Sequence, residues 1–197
     1  MTSAAALQTE LLQFIYERKH KNMKVNNHVK NIVKSALMAA FCLIFTMFFP
    51  VTLPTGYANL GDAVCFLSGF MLNGFYGSIA AGLGSGLADV IGGYGMYFPA
   101  TFVAKAAIAL LGALARRLVL HGTPKRSAVY LRTAICSLLA EAVMVGTYFL
   151  YESVVLGLGE AAVASIFGNL TQAGVGFVLS IVLVATFTKN RKLKNLL

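Results

Sequence analysis

The 197-residue chain is 58% hydrophobic and only 12% charged, whereas soluble domains average about 45–50% apolar and about 25% charged residues. This composition excludes an ordinary soluble enzyme, and apolar runs along nearly the whole length predict a single membrane domain. The formal net charge is +9. Because the basic residues flank apolar runs and do not form an aromatic-rich basic face, nucleic acid is not a predicted partner.

Six apolar segments follow one another along the chain, and at about 20 residues per crossing the length accommodates roughly six spans. The predicted helices lie at about 31–49, 60–73, 75–90, 98–118, 128–150 and 161–187. Pro50, Pro54 and Gly56 predict a loop of defined shape after the first helix, because prolines and glycine do not continue it. The second and third segments are short for a full crossing. The fold class predicted is an all-α integral membrane protein with six transmembrane helices.

The distribution of basic residues predicts the orientation. Lysine and arginine cluster in three segments, which are 18–34, 116–132 and 189–194. The loops between these segments lack lysine and arginine, namely 50–59, 91–98 and 151–160. Since basic segments stay in the cytoplasm, both termini are predicted to be cytoplasmic and these three loops to face outward.

Three regions are predicted from this pattern: a cytoplasmic N-terminal extension over 1–30, a six-helix membrane domain over 31–188 and a basic cytoplasmic tail over 189–197. Within the extension, residues 4–16 are suited to a short surface helix, and Met23 is an alternative start to Met1. No signal peptide is expected, because the first 30 residues lack a cleavage pattern ahead of the first span.

Polar side chains inside the predicted spans are the main candidates for function, because an ionisable group within a membrane is costly. Lys105, Glu141, Asn169 and Gln172 lie on three different helices. At about 1.5 Å per residue, all four lie roughly 10–17 Å below the outer ends of their helices. This common depth predicts a polar pocket that opens outward. Two structural interpretations remain open: Lys105 and Glu141 as a buried ion pair, and the two amides as links between helices.

Residues near the outer ends complete the candidate site. Tyr97 and Tyr148 suit either an interfacial aromatic belt or a stacking wall for a ring-shaped ligand, and Asn59 ends the first outer loop. Asp62 is interpreted as a cap at the start of the second helix, where a carboxylate meets free N–H groups. Asp89 is interpreted as fixing the 91–98 loop, and contact with a ligand is the alternative.

Several kinds of chemistry are not indicated by the sequence. A phosphate-binding GxxxxGK[ST] loop is absent, and the three histidines (His20, His28 and His121) fall outside the predicted spans. Cys42, Cys65 and Cys136 stand singly in apolar runs, so neither a disulfide nor a zinc site is expected. No catalytic residue, metal or cofactor is therefore predicted, and the chain is not expected to be an enzyme.

Four sequence segments resemble a known family. They are Ala36-Leu37-Met38-Ala39-Ala40, Leu60-Gly61-Asp62-Ala63, Gly82-Leu83-Gly84-Ser85-Gly86-Leu87-Ala88-Asp89 and Asn169-Leu170-Thr171-Gln172, together with Lys105. With these segments the chain resembles the substrate-binding S components of energy-coupling factor (ECF) vitamin transporters, in particular the riboflavin-transporter-like branch. Two features depart from the family: tryptophan is absent, and the first 22 residues have no counterpart.

This resemblance implies a function and a set of partners. Such S components capture a water-soluble vitamin from outside a prokaryotic plasma membrane, between the outer halves of helices four to six and under the outer loops. They dock on a transmembrane coupling (T) component that two cytoplasmic ATPases drive. Ala36 and Ala40 become the docking candidates, the 50–59 loop becomes the lid, and Lys105, Glu141, Asn169 and Gln172 become ligand contacts. The vitamins implied are of the pyridoxine, hydroxymethylpyrimidine or riboflavin type.

Two other functions remain open at this point. One is a structural or assembly subunit of a membrane complex, in which Lys105 and Glu141 form a buried pair and no pocket exists. The other is a stand-alone transporter in which Glu141 carries a proton, although no inverted repeat or paired broken helices support it.

Overall fold

A computed structural model of the protein describes the backbone of residues 2–48, 50–53, 56–121 and 125–190, and most side chains of 27–48, 59–121 and 125–190. The chain comprises two compact units, Met1–Lys34 and Ser35–Leu197. The first unit consists of the N-terminal part of a helix. The second contains the rest of this helix and all the other helices and strands.

The described residues form six α-helices and one β-hairpin. The helices are α1 (Thr2–Met47), α2 (Gly61–Met71), α3 (Gly74–Ile91), α4 (Phe98–Leu120), α5 (Arg126–Leu150) and α6 (Glu160–Lys189). The hairpin pairs β1 (Pro50–Leu53) antiparallel to β2 (Gly56–Asn59). A short 3₁₀ turn at Gly95–Tyr97 precedes α4, and a π-helical turn at Tyr151–Val155 extends α5.

The ends of α2 to α6 lie within two residues of the predicted ends. Local sequence explains several of them: Asn73 caps α3 by accepting a hydrogen bond from the Tyr76 N–H, and Pro99 stands in the first turn of α4. Two differences from the prediction stand out. Helix α1 begins at Thr2, so it includes the predicted short helix at 4–16 and continues without a break into the first predicted span, and the loop after it contains the β-hairpin.

Four segments of the described chain are helical, long and apolar enough to cross a membrane: Asn27–Met47, Gly95–Leu120, Arg126–Val155 and Glu160–Lys189. Helix α2 is apolar but has only 11 residues. Large apolar side chains such as Leu37, Val103 and Leu139 are exposed on these helices, as expected of surfaces that face lipid. The protein is therefore a helical, multi-pass membrane protein.

Helix α4 lies at the centre of the second unit and packs against α2, α3 and α5. Glycines bring its backbone very close to that of α2. A Cβ atom added at Gly69 would lie 1.7 Å from the Ala109 carbonyl oxygen, and one at Gly112 would lie 2.1 Å from that of Phe66. Backbones approach this closely only where side chains are absent. The close α2–α4 contact sets the position of the polar groups on the same two helices.

Candidate functional site

A cavity of about 490 Å³ lies at the end of the bundle that carries the hairpin, the 91–98 loop and the π-helical turn. Its wall combines the ends of α1, β2, α3 and α5 with the first turns of α4 and an inner part of α6. The lining residues are Thr46, Met47, Asn59, Ala88, Asp89, Gly92, Tyr94, Tyr97, Thr101, Lys105, Tyr148, Glu152, Asn169 and Gln172. Most of them are polar or aromatic, which is unusual inside a bundle of apolar helices.

The ion pair between Lys105 and Asp62 is the central polar contact. The Lys105 ammonium group donates a hydrogen bond to Asp62 Oδ1, and the two side chains are 1% and 0% exposed. Lys105 stands on α4 and faces the cavity, whereas Asp62 lies behind it in the first turn of α2. A charged pair this deeply buried persists only when both partners are present.

Two amide side chains extend this pair into a network. Gln172 Nε2 on α6 donates to Asp62 Oδ2 at 2.6 Å, and Asn59 Nδ2 donates to Gln172 Oε1 at 3.1 Å. The Asn59 Oδ1 atom accepts a hydrogen bond from the Gly61 N–H at 2.9 Å. The network therefore connects the end of the hairpin with α2, α4 and α6. Because each buried polar group in it has a partner, it holds the inner wall of the cavity in one arrangement.

The structure corrects two interpretations of the carboxylates. Asp62 does not serve as a helix cap: its two oxygens accept from Lys105 and Gln172, and Asn59 satisfies the Gly61 N–H. Lys105 pairs with Asp62 and not with Glu141. Charge alone does not distinguish between two carboxylates on different helices, because either one could neutralise the same lysine.

Glu141 is buried at 3% exposure but does not belong to the cavity lining. Among the described residues neither of its carboxyl oxygens has a hydrogen-bond partner. It lies beside Gly176 of α6, where an added Cβ would be 2.3 Å from Glu141 Oε1 and 3.0 Å from Asp62 Cβ. Because Gly176 has no side chain, it leaves room for the side chains of Glu141 and Asp62.

The other sequence-predicted residues come together at the cavity. Asn59, Tyr97, Lys105, Tyr148, Asn169 and Gln172 all line it. The sequence did not indicate Thr46, Thr101 or Glu152 as site residues, and for Asp89, which lines the cavity, it favoured a role in the loop over contact with a ligand. The Thr101 and Tyr148 hydroxyls are hydrogen-bonded at 2.7 Å, and Lys105 Nζ lies 5.9 Å from the centre of the Tyr148 ring. The tyrosine thereby extends the polar network to α5.

Of the predicted docking residues, Ala36 and Ala40 are both exposed on α1. Between them Ala39 faces the other way: its carbonyl oxygen would be 2.3 Å from a Cβ atom added at Gly84 of α3. The α1 segment thus packs against α3 on one face. Ala36 and Ala40 present small, exposed side chains on another face of α1.

The apolar helices and the polar cavity between them define the class of the chain, a multi-pass membrane protein with an internal site. A family model described as the ECF-type riboflavin transporter, S component, matches residues 26–189, and the chain belongs to this family. No curated protein and no solved structure matches it. The family match confirms the resemblance drawn from the motifs. It identifies the chain as the substrate-binding component of a transporter, and the ATPase activity of such a transporter lies in other subunits.

Proposed function

We propose that the chain captures a water-soluble vitamin or vitamin precursor from outside the cell and delivers it to an ATP-driven coupling module in a prokaryotic plasma membrane. The observation that carries this proposal is the polar cavity of about 490 Å³ inside an otherwise apolar helical bundle. Its mixture of tyrosine rings, amides and hydroxyls suits a small heteroaromatic ring with hydroxyl or amino substituents. Pyridoxine, hydroxymethylpyrimidine and riboflavin are the first compounds to test.

The roles of the site residues follow from their positions. Tyr97 and Tyr148 provide aromatic surfaces for stacking, while Asn169 and Gln172 offer amide donors and acceptors. Asn59 couples the end of the hairpin to Gln172, so a change at the hairpin is transmitted directly to the cavity wall. The segment 50–59 is our candidate lid; part of it lies outside the described residues.

Binding is tested by titrating the purified, detergent-solubilised protein with a vitamin panel in a calorimeter. One compound of the pyridoxine, hydroxymethylpyrimidine or riboflavin type should bind at one molecule per chain. The Asn169→Ala variant should bind it about fivefold or more weakly, because a buried polar contact to the ligand contributes about 1 kcal/mol or more. Wild-type affinity in this variant would remove Asn169 from the site.

The proposed topology has six spans, with both termini in the cytoplasm. It places the cavity at the outer surface, because the loops at that end lack lysine and arginine. The coupling partners are a T component and two ATPases, and the exposed Ala36–Ala40 face of α1 is the proposed contact, since alanines four residues apart allow a partner helix to approach closely.

Cysteine labelling of intact cells tests this orientation. The native cysteines Cys42, Cys65 and Cys136 are buried, so they provide a silent background. We expect Leu158→Cys, in the loop before α6, to react with a membrane-impermeant maleimide on whole cells. His121→Cys, after α4, should react only once the membrane has been permeabilised. The reverse pattern would invert the topology, and labelling of both positions from outside would contradict the span count.

A further inference from the structure

The described residues that line the cavity include two carboxyl groups but only one cationic group. Among the described residues, three ionisable groups other than tyrosine line the cavity: Lys105, Asp89 and Glu152. Lys105 is the one cation among the lining residues, and its ammonium group already forms an ion pair with Asp62 behind the wall. Asp62 thus neutralises the positive charge that an anionic ligand would need.

The two carboxyl groups that line the cavity form no ion pair of their own among the described residues, although the Asp89 carboxyl group also interacts with the Thr101 hydroxyl. Asp89 Oδ2 is buried and has no hydrogen-bond partner there. Glu152 is 6% exposed, and its Oε2 atom accepts a hydrogen bond from the uncharged Ser165 hydroxyl. Neither carboxyl group takes part in the described salt bridge. The wall at α3 and the π-helical turn is therefore an acceptor surface that has no cation of its own among the described lining residues.

We infer that the substrate carries no net negative charge and presents hydrogen-bond donors, or a protonated amine or ring nitrogen, toward Asp89 and Glu152. This inference rests on the proposed function and narrows its substrate class. A phosphate ester brings about −1.5 to −2 charges near pH 7 and would face two carboxyl groups with no free cation among the lining residues. Like charges in contact cost several kcal/mol, whereas a cationic or neutral donor group can form charge-assisted hydrogen bonds with these carboxyl groups.

Matched pairs of compounds test the charge rule on the purified full chain. The pairs are pyridoxamine and pyridoxamine 5′-phosphate, riboflavin and riboflavin 5′-phosphate, and hydroxymethylpyrimidine and its phosphate. For whichever scaffold binds, the unphosphorylated member should bind about 100-fold more tightly, since several kcal/mol of repulsion corresponds to at least that ratio. Among compounds of one scaffold, a protonated amine should bind more tightly than the uncharged alcohol.

The assignment of Asp89 is tested by Asp89→Asn, which removes charge with almost no change of shape. We expect this variant to bind the amine-bearing ligand about tenfold or more weakly. We also expect a smaller ratio between the affinities for the unphosphorylated and the phosphorylated compound of each pair. Glu160→Gln removes an exposed carboxylate that does not line the cavity, and it should leave both quantities unchanged. If Asp89→Asn does not fold, as judged by thermal unfolding, Glu152→Gln serves the same purpose.

Three outcomes overturn the inference in distinguishable ways. If a phosphorylated compound bound as tightly as its unphosphorylated counterpart, the inference that the substrate carries no net negative charge would be refuted, but the proposed function would remain. An unchanged ratio in a folded Asp89→Asn or Glu152→Gln variant would refute the role of these carboxyl groups. Failure of the folded wild-type protein to bind any member of the panel would refute the proposed function and the inference together.

Discussion

Replacing Lys105 with methionine should destabilise the protein severely and abolish substrate binding. The Asp62 carboxylate is fully buried, and the Lys105 ammonium group is its only cationic partner among the described residues. Removing one member of a buried ion pair leaves an uncompensated charge, at a cost of about 3–5 kcal/mol. Thermal unfolding in detergent should therefore show a large drop in the midpoint temperature, and ligand titration should show no binding.

The double variant Asp62→Asn with Lys105→Met separates the structural role of the pair from its role in binding. With both charges removed, the new amide side chain still offers an oxygen to the Gln172 amide, so most of the lost stability should return. Binding should stay weakened, because the Lys105 ammonium group also faces the cavity. Lys189→Met, at an exposed lysine near the end of α6, is the matched control and should behave as the wild type. A Lys105→Met variant as stable as the wild type would show that the pair does not hold α2 to α4.

Replacing Gly69 with alanine should separate α2 from α4 and weaken binding at a distance. The new Cβ would lie 1.7 Å from the Ala109 carbonyl oxygen, and a backbone atom at that distance cannot move aside without a shift of the whole helix. Overpacking of this kind costs about 1–3 kcal/mol and occasionally more. Ala109 stands one helical turn after Lys105, so the shift also disturbs the Lys105–Asp62 contact.

Gly174→Ala provides the control for this substitution. Gly174 lies within α6, and an added Cβ there would meet nothing within 4 Å. Alanine favours a helix over glycine by about 0.5–1 kcal/mol, so this variant should be as stable as the wild type or slightly more stable. The two midpoint temperatures are compared in the same detergent. Equal midpoints for the two alanine variants would contradict the close α2–α4 contact.

The helix boundaries could be predicted from the sequence because glycine and proline interrupt its apolar runs. Gly92, Gly93 and Pro99 separate α3 from α4 in the way that their backbone preferences require. The upstream part of α1 is predictable only in part, as the short helix at 4–16, because the polar residues of 17–30 give no apolar periodicity that would indicate a continuous helix. The β-hairpin could not be predicted from the sequence, because Pro50 and Pro54 indicate only that the helix ends.

The candidate site was partly predictable because polar residues are rare inside apolar spans. Lys105, Asn169 and Gln172 were selected for that reason, and they line one cavity. Glu141 was selected on the same ground but lies outside the lining, because depth along a helix does not specify which face a side chain occupies. Asp62 was misassigned because a carboxylate in the first turn of a helix usually interacts with free N–H groups.

The central claim is that this chain holds a small-molecule substrate, and native mass spectrometry of the protein purified from cells grown in rich medium tests it most directly. We expect one copurified vitamin-type molecule per chain, uncharged or cationic, and a much smaller amount of it in the folded double variant Asp62→Asn with Lys105→Met, in which binding is weakened. A wild-type protein that is empty, and that stays empty after incubation with the vitamin panel, would contradict the claim. In that case the Lys105–Asp62 network would serve only to hold the helices of a structural subunit together.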